Sequence, residues 1–324
     1  MTMSGELLQL AEIIIYPGII FIFLVSFLYE WIDRKFYARL QNRYGPLYTG
    51  PSGILQPFAD FIKLLAKEDI EPEAVDRGVF RTTPILILFI PLLGTLLIPI
   101  SGLSAVVHFE GDLIFLVFLL TLIAISIFLA GWSSTNRFST IGGVRAALQM
   151  ISYEIPLTLV LISPAILAGS LSITGIVLWQ SARYPLIIFQ PIGFVVAVIC
   201  FLAELERVPF DIPEADTEIV AGWMTEFSGR KLALLRLSRD VETVLAAALL
   251  SAVFLGGPAG PGPPELALFW FFLKMTAVAL IFTNMRALFA RLRIDQMMNT
   301  FWKYILPLSL AQVFLSELIS LFLI

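Results

Sequence analysis

Cysteine and histidine are almost missing from this sequence: Cys200 and His108 are the single representatives among 324 residues. An iron–sulfur cluster needs several thiolates, and haem or zinc needs axial or clustered ligands. The chain alone therefore holds no such centre, and any redox chemistry it serves runs through electrons in a partner. Charge is scarce too, at 14% of residues, where a soluble globular domain carries about 25%. A net charge of −4 without a basic groove gives no sign of nucleic acid. No internal repeat, low-complexity stretch or soluble domain stands out.

What is abundant is apolar surface. Hydrophobic residues make up 58% of the chain and the mean hydropathy is +0.90. Crossing roughly 30 Å of hydrocarbon as helix takes about 20 apolar residues. Eight runs approach that length, at 12–32, 82–101, 113–133, 153–171, 185–203, 241–257, 266–286 and 304–323. They are continuous rather than alternating, which points to helices and not barrel strands. The reading is all-α: a polytopic membrane protein of eight transmembrane helices, forming a single membrane domain over 1–324. Nineteen of the 21 Lys and Arg residues fall in 33–81, 134–152, 204–239 and 286–303. The positive-inside rule places those connections in the cytoplasm and both termini outside the cell membrane. No cation precedes Arg34, so the first run lacks a signal peptide's basic region and is expected to remain. Cys200 sits in the fifth run, where a small buried thiol is expected.

The two long inner connections, 33–81 and 204–239, are where this sequence invests its polar residues. Loops of that length usually have a task, and docking a soluble partner fits it. In the first, Ile54, Leu55, Phe58, Phe61, Ile62 and Leu65 recur at helical spacing. That predicts an amphipathic surface helix, lying among headgroups or against a partner. The second gathers seven acids, Glu204, Glu206, Asp211, Glu214, Asp216, Glu218 and Glu226, with Arg207 alone among them. A solvated acidic loop is one reading, and a charge-handling site at the mouth of the bundle is the other. The prolines of PFDIP interrupt any helix leaving the fifth run. Asp211 and Glu214 are spaced as a capping box, which would set Glu214 and Glu218 on one helix face. Two carboxylates so placed repel, which fits a shared proton and equally fits two solvated glutamates if water reaches them.

Charges within the runs cost more and so carry more information. Lys274 lies near the middle of the seventh, where a charge costs about 2.5–3.5 kcal/mol to insert. Glu154 opens the fourth, just before Pro156. Asp240 and Glu242 open the sixth, where snorkelling to the interface explains them best.

Four segments together resemble a known family: DRKFYARLQNRYGPLYTGPSGILQPFADFIKLLAKED, QMISYE at 149–154, AELERVPFDIPEADTEIVAGWMTEFSGRKLAL, and RLRIDQMMNTFWKYILP at 291–307. They are similar to the NuoH-type membrane protein of respiratory complex I, and to its equivalent in related membrane-bound hydrogenases and ferredoxin-linked oxidoreductases. The acidic segment matches almost residue for residue. The resemblance implies eight spans, no redox centre in this chain, and a position between a soluble iron–sulfur electron-transfer arm and antiporter-like and small membrane subunits. It implies a quinone-type cavity at the cytoplasmic face, with Asp33, Arg34, Arg43, Arg291, Arg293 and Asp295 near it. It further implies a carboxylate passage, matched here by Glu154, Glu204, Asp211, Glu214, Asp216, Glu218 and Glu226, with Lys274 matching a lysine of its helix. Glu206, Asp240 and Glu242 join that passage as candidates by their place in the chain.

The sequence also departs from the family. Asp33 stands where quinone enzymes usually carry Glu, Arg239 replaces a usual Glu, and Ala290 and Ile294 replace Pro and Tyr. Those changes bear on the cavity and the passage. A relative that passes electrons to protons or sulfur would keep the passage and dispense with quinone. The expectation is a coupling subunit of a complex-I-like ion pump, not catalytic alone. The competing classes are a self-contained secondary transporter, whose repeats are not evident, and a passive scaffold.

Overall fold

The computed structural model describes residues 11–323, and all the regular structure among them is helical. In α1 (Ile19–Leu40), Ile22, Val25, Ser26, Tyr29 and Asp33 recur at three- and four-residue steps and form one buried stripe. The opposite side, with Ile20 and Leu24, is equally apolar and exposed. The first half of the helix, apolar all round before Glu30 with one face uncovered, suits lipid on its outer side.

A second element, α2 (Gln56–Ala66), lies against α1 and starts with Pro57 in its first turn, where proline is tolerated. The amphipathic helix expected here has two apolar faces. Pro57, Phe61 and Leu64 turn inward, with Phe61 5.7 Å from the Phe27 ring, while Ile62 and Leu65 stay exposed.

The bundle continues with α3 (Arg77–Leu96), α4 (Asp112–Ser133) and α5 (Arg137–Ala168). Caps fix their starts. Asp76 accepts from Gly78 N and Val79 N, and Asn136 accepts from Phe138 N. Then come α6 (Ile173–Ala182), α7 (Pro191–Glu204), α8 (Gly229–Leu255), α9 (Ala267–Leu288), α10 (Ile294–Thr300) and α11 (Leu306–Leu323), the last two joined by a π-helical turn at Phe301–Ile305.

At the centre stands α8. Every residue from Val241 to Phe254 is buried, and α1, α2, α3, α6 and α9 all pack on it. Its small residues, Ala246 to Ala248 and Ala252, let those neighbours come close. On the other side α5 joins α4, α7 and α11.

Among the described residues, six helices are long and apolar enough to cross a membrane: Ala11–Leu40, Arg77–Leu96, Asp112–Ser133, Arg137–Ala168, Pro264–Leu288 and Ile294–Phe322. They take in six of the eight expected runs. The run at 185–203 is broken, with a short turn at Leu186–Ile188 before α7, whose 14 residues reach only about 21 Å. The run at 241–257 is the far half of α8, whose near half carries Arg236, Arg239 and Asp240. The connection between the fourth and fifth runs contains α6. Asp112 accepts from Ile173 N at 2.6 Å at its start, and Gln180 donates to the Ala252 and Val253 carbonyls at its end.

Candidate functional site

The acidic segment after α7 is clamped to the bundle. Gln149 of α5 donates to the Ala203 carbonyl at 2.6 Å and to the Phe210 carbonyl at 2.8 Å. A Cβ at Gly142 would come within 2.4 Å of Trp223 N, and one at Gly222 (φ +55°) within 1.9 Å of the Pro213 carbonyl. Only glycine permits so close an approach at either place. Trp223 is fully buried, and Phe227 stacks on Phe80 of α3 at 4.3 Å. Such packing is incompatible with a loose, solvated loop.

This anchoring brings five of the acids to partners. Glu206 is buried, accepting from Trp223 Nε1 at 3.0 Å and from Arg239 at 2.6 Å. Burial pushes its carboxyl up to about 7, against the pull of Arg239. Arg239 also holds Glu214, at 2.5 Å. Asp211 meets Arg291 at 3.3 Å. Glu218, half exposed, meets Arg145 at 2.7 Å and Arg291 at 3.6 Å. The hydrogen bond from Arg145 is the main reason its carboxyl sits below the usual range. Glu226 accepts from Asn136, and the side chain of Asp216 lies outside the described residues.

Three local expectations are corrected here. The capping box does not form, because Asp211 faces Arg291 and Glu214 faces Arg239, and the helical turn begins only at Asp216–Ile219. Charge-assisted bonds to arginine outweigh a capping bond to backbone. Glu214 and Glu218 consequently turn to different arginines instead of facing each other as a pair. Asp240 and Glu242 do not snorkel, since α8 starts as early as Gly229 and places both inside the helix. Glu242 is buried beside Ser238 Oγ at 2.8 Å, and Asp240 stands within hydrogen-bonding reach of Glu30.

Between α1, the acidic segment, α8 and α9 lies a cavity of about 370 Å³. Glu30, Glu206, Asp211, Glu214 and Asp240 face Arg34, Arg207, Arg236, Arg239 and Arg286 across it. Glu206 also lines a second space of about 10 Å³, together with Glu204, Gln149, Tyr153 and Leu120. That is about the room one water needs. Two buried acceptors there, Gln149 Oε1 and Glu204 Oε2, have no hydrogen-bond partner among the described residues. Tyr153 and Leu120 in turn line a third, similarly small space that ends at Glu154, which accepts from Thr121 of α4.

The model of the family described as NADH dehydrogenase matches residues 13–317. The H-type subunit of NADH-quinone oxidoreductase from Dehalococcoides mccartyi is 40% identical over 305 residues, 93% of this chain and 85% of that protein. The H-type subunit numbered 2 in Syntrophobacter fumaroxidans is 38% identical over 96% of this chain and 95% of its own. The one from Carboxydothermus hydrogenoformans is also 38% identical, over 91% of this chain and 85% of that protein. The chain belongs to the NADH dehydrogenase family. It is an integral membrane protein, related to the H-type subunits of a multisubunit oxidoreductase.

Seen as a family member, its expected cavity residues fall into separate groups. Both Asp33 oxygens are engaged, accepting from Arg207 at 3.2 Å, Thr283 at 2.6 Å and Arg286 at 3.0 Å. Arg34 binds Glu30 and Asp60 and lines the large cavity. Arg291, Arg293 and Asp295 line a different cavity of about 280 Å³ with Arg145 and Glu218. Arg43 is exposed, bonded to Gln41 and set over the Tyr37 ring. Lys274 is likewise apart: it donates to the Gly257 and Ala259 carbonyls beyond the far end of α8. Among the described residues, no group of three or more His, Cys, Asp or Glu could hold a metal ion.

Sequence reasoning missed Glu30, Gln149, Arg145, Arg286 and Thr121 as members of the site. Glu30 and Arg34 are four residues apart on a helix, a spacing that signals an ion pair. Gln149 stands in the QMISYE segment without any charge to single it out.

Proposed function

We propose that this chain is the membrane coupling subunit of a complex-I-like redox-driven ion pump. One observation carries the reading: three internal spaces follow one another and share walls. Glu206 belongs to the first and second, and Tyr153 and Leu120 to the second and third, which supports an acid-lined path from the open, charged end to Glu154. Buried ionisable groups in a membrane bundle are costly and mark ion or proton routes. In this reading Glu214 and Glu206 form the mouth, Glu204 the middle and Glu154 the inner end, with Asp240 and Glu242 beside the mouth on α8.

The chain forms one membrane domain of eight crossings with both termini outside. Its charged end faces the cytoplasm and docks the soluble iron–sulfur subunits, which contain the redox centres. Antiporter-like and small membrane subunits adjoin α4 and α5 near Glu154, and lipid covers the remaining apolar faces. The soluble arm changes charge at the mouth, the acids shift protonation in turn, and the neighbouring subunits convert that change into ion movement.

The relatives are named as subunits of an NADH-quinone oxidoreductase, which supports a quinone-type cavity at the cytoplasmic face proposed for this chain. A second reading is a subunit of a ferredoxin-linked hydrogenase or sulfur-reducing complex that binds none. What favours it is the wall of the large cavity, where five carboxylates and five arginines leave little for an apolar ring and tail. The test is gentle extraction with partners, followed by quinone reduction, hydrogen evolution and sulfur reduction on the same preparation. In proteoliposomes of that assembly, Glu154→Gln stops ion translocation while redox turnover and co-purification persist. Normal translocation by that variant removes Glu154 from the mechanism. Transport of a solute by the chain without partners would favour a secondary transporter.

A further inference from the structure

Arg239 bridges two acids where the charged cavity narrows. Its Nη2 donates to Glu206 at 2.6 Å and its Nη1 meets Glu214 at 2.5 Å, while its guanidinium lies 5.6 Å from the centre of the Trp223 ring. Trp223 binds the same Glu206 oxygen, Oε2, through its indole nitrogen. One planar fork thus joins two acids that lie eight positions apart in sequence to the central helix, and it does so where the large cavity meets the one-water space. Lysine has no such fork.

We propose that Arg239 is the positioning residue that sets the order in which the acids at the mouth of the passage take up a proton. The inference rests on the coupling reading above and deepens it. One positive charge faces two carboxylates, so the trio carries one surplus negative charge when both are ionised. A single proton then makes it neutral. Glu206, with the deeper burial and with Trp223 donating to it, borders Glu204; Glu214 borders the cavity alone. Proton entry therefore requires one acid to leave the guanidinium or to be neutralised on it, and the fork makes these outcomes interdependent.

Other charges face this trio from every side and set its background. They are Glu30 and Arg34 on α1, Arg207 and Asp211 in the acidic segment, Arg236, Asp240 and Glu242 on α8, and Arg286 on α9, with Tyr153 and Glu204 across the small space. None of those cations forms an ion pair with Glu206, so Arg239 is its one direct counter-charge among the described residues. Removing that charge leaves burial and Glu214 to hold the proton on Glu206 to higher pH.

The experiment is a pH titration of carboxyl C=O stretches by infrared spectroscopy on the extracted assembly, with Glu206→Gln identifying the band. In the unaltered protein that band titrates near neutral pH. In Arg239→Gln its midpoint moves up by about 1–3 pH units, and in Arg239→Lys by less, since one acid keeps a cation. A midpoint that stays put in both variants overturns the proposal. If Arg239→Gln does not assemble, Arg239→Lys still decides, because unchanged titration with one ammonium would show that the fork is irrelevant. Failure of the wider reading looks different: Glu154→Gln would translocate ions normally whatever the Glu206 band does.

Discussion

Lys274 donates to the Gly257 carbonyl at 2.9 Å, one residue beyond the C-cap at Gly256, where α8 ends. In that place the ammonium caps the carbonyls that follow the helix. Glu242 lies 14 residues before Gly256, about 20 Å further down the helix, so the ammonium is remote from the acids it was grouped with. A cation near exposed carbonyls at a helix C-terminus is favourable. Lys274→Met is expected to lower the stability of the assembly by about 1–3 kcal/mol, read by thermal unfolding in detergent. Ion translocation per electron should be unchanged. A loss of coupling without a loss of stability would restore Lys274 to the relay.

Asp33 makes a contrasting prediction. It is a buried carboxylate serving two guanidinium groups, Arg207 and Arg286, and the Thr283 hydroxyl. Asn cannot balance two cations, and breaking a buried pair by removing one partner costs about 3–5 kcal/mol. Asp33→Asn is expected to detach the acidic segment from α1 and α9, seen as faster hydrogen exchange across 205–212. Exchange unchanged there would mean that Arg207 finds another partner.

The helical bundle was legible because membrane solubility demands it: continuous apolar runs leave no other way to satisfy backbone polar groups. The acidic segment was legible as a site because acids crowd within it. What sequence could not give was the pairing. Glu214 and Glu218 share a helical spacing, yet arginines from two distant helices and the segment before α10, Arg239, Arg145 and Arg291, pull them apart. Asp240 and Glu242 looked like helix-end residues because hydropathy falls where charge begins, while the helix itself runs back to Gly229. Gln149 stayed hidden because an amide holding two carbonyls has no pattern along the chain.

Thr121 supplies Glu154 with its one hydrogen-bond donor among the described residues, across the contact between α4 and α5. Thr121→Val keeps the shape and removes that donor. A hydrogen bond to a charged group contributes about 1.5–3 kcal/mol. Ion translocation in proteoliposomes should fall, though less than in Glu154→Gln, while assembly survives. Equal loss in the two variants would mean that the hydroxyl itself relays the charge. No loss at all would place Glu154 outside the path.

Glu71 offers a pH dependence far from the passage. It binds Arg81 at 2.7 Å and Lys231 at 2.7 Å, and Lys231 also binds Asp69, so the segment before α3 is tied to the start of α8. The hydrogen bond from Arg81, followed by that from Lys231, holds the Glu71 carboxyl down at about 2. A carboxylate lower in the folded state than its unfolded value of about 4.3 contributes stability above that value, and the contribution fades as pH falls towards the folded one. Hydrogen exchange over 67–76 is therefore expected to stay slow at pH 4 and to quicken only as pH approaches 2. Glu71→Gln should quicken it at neutral pH, and Lys231→Met more so because Asp69 loses its partner as well. Lys231 is 9% exposed, which shields this link from screening, so the protection should persist in high salt. Protection that vanishes with salt alone would show that the segment is held by long-range attraction and not by these contacts.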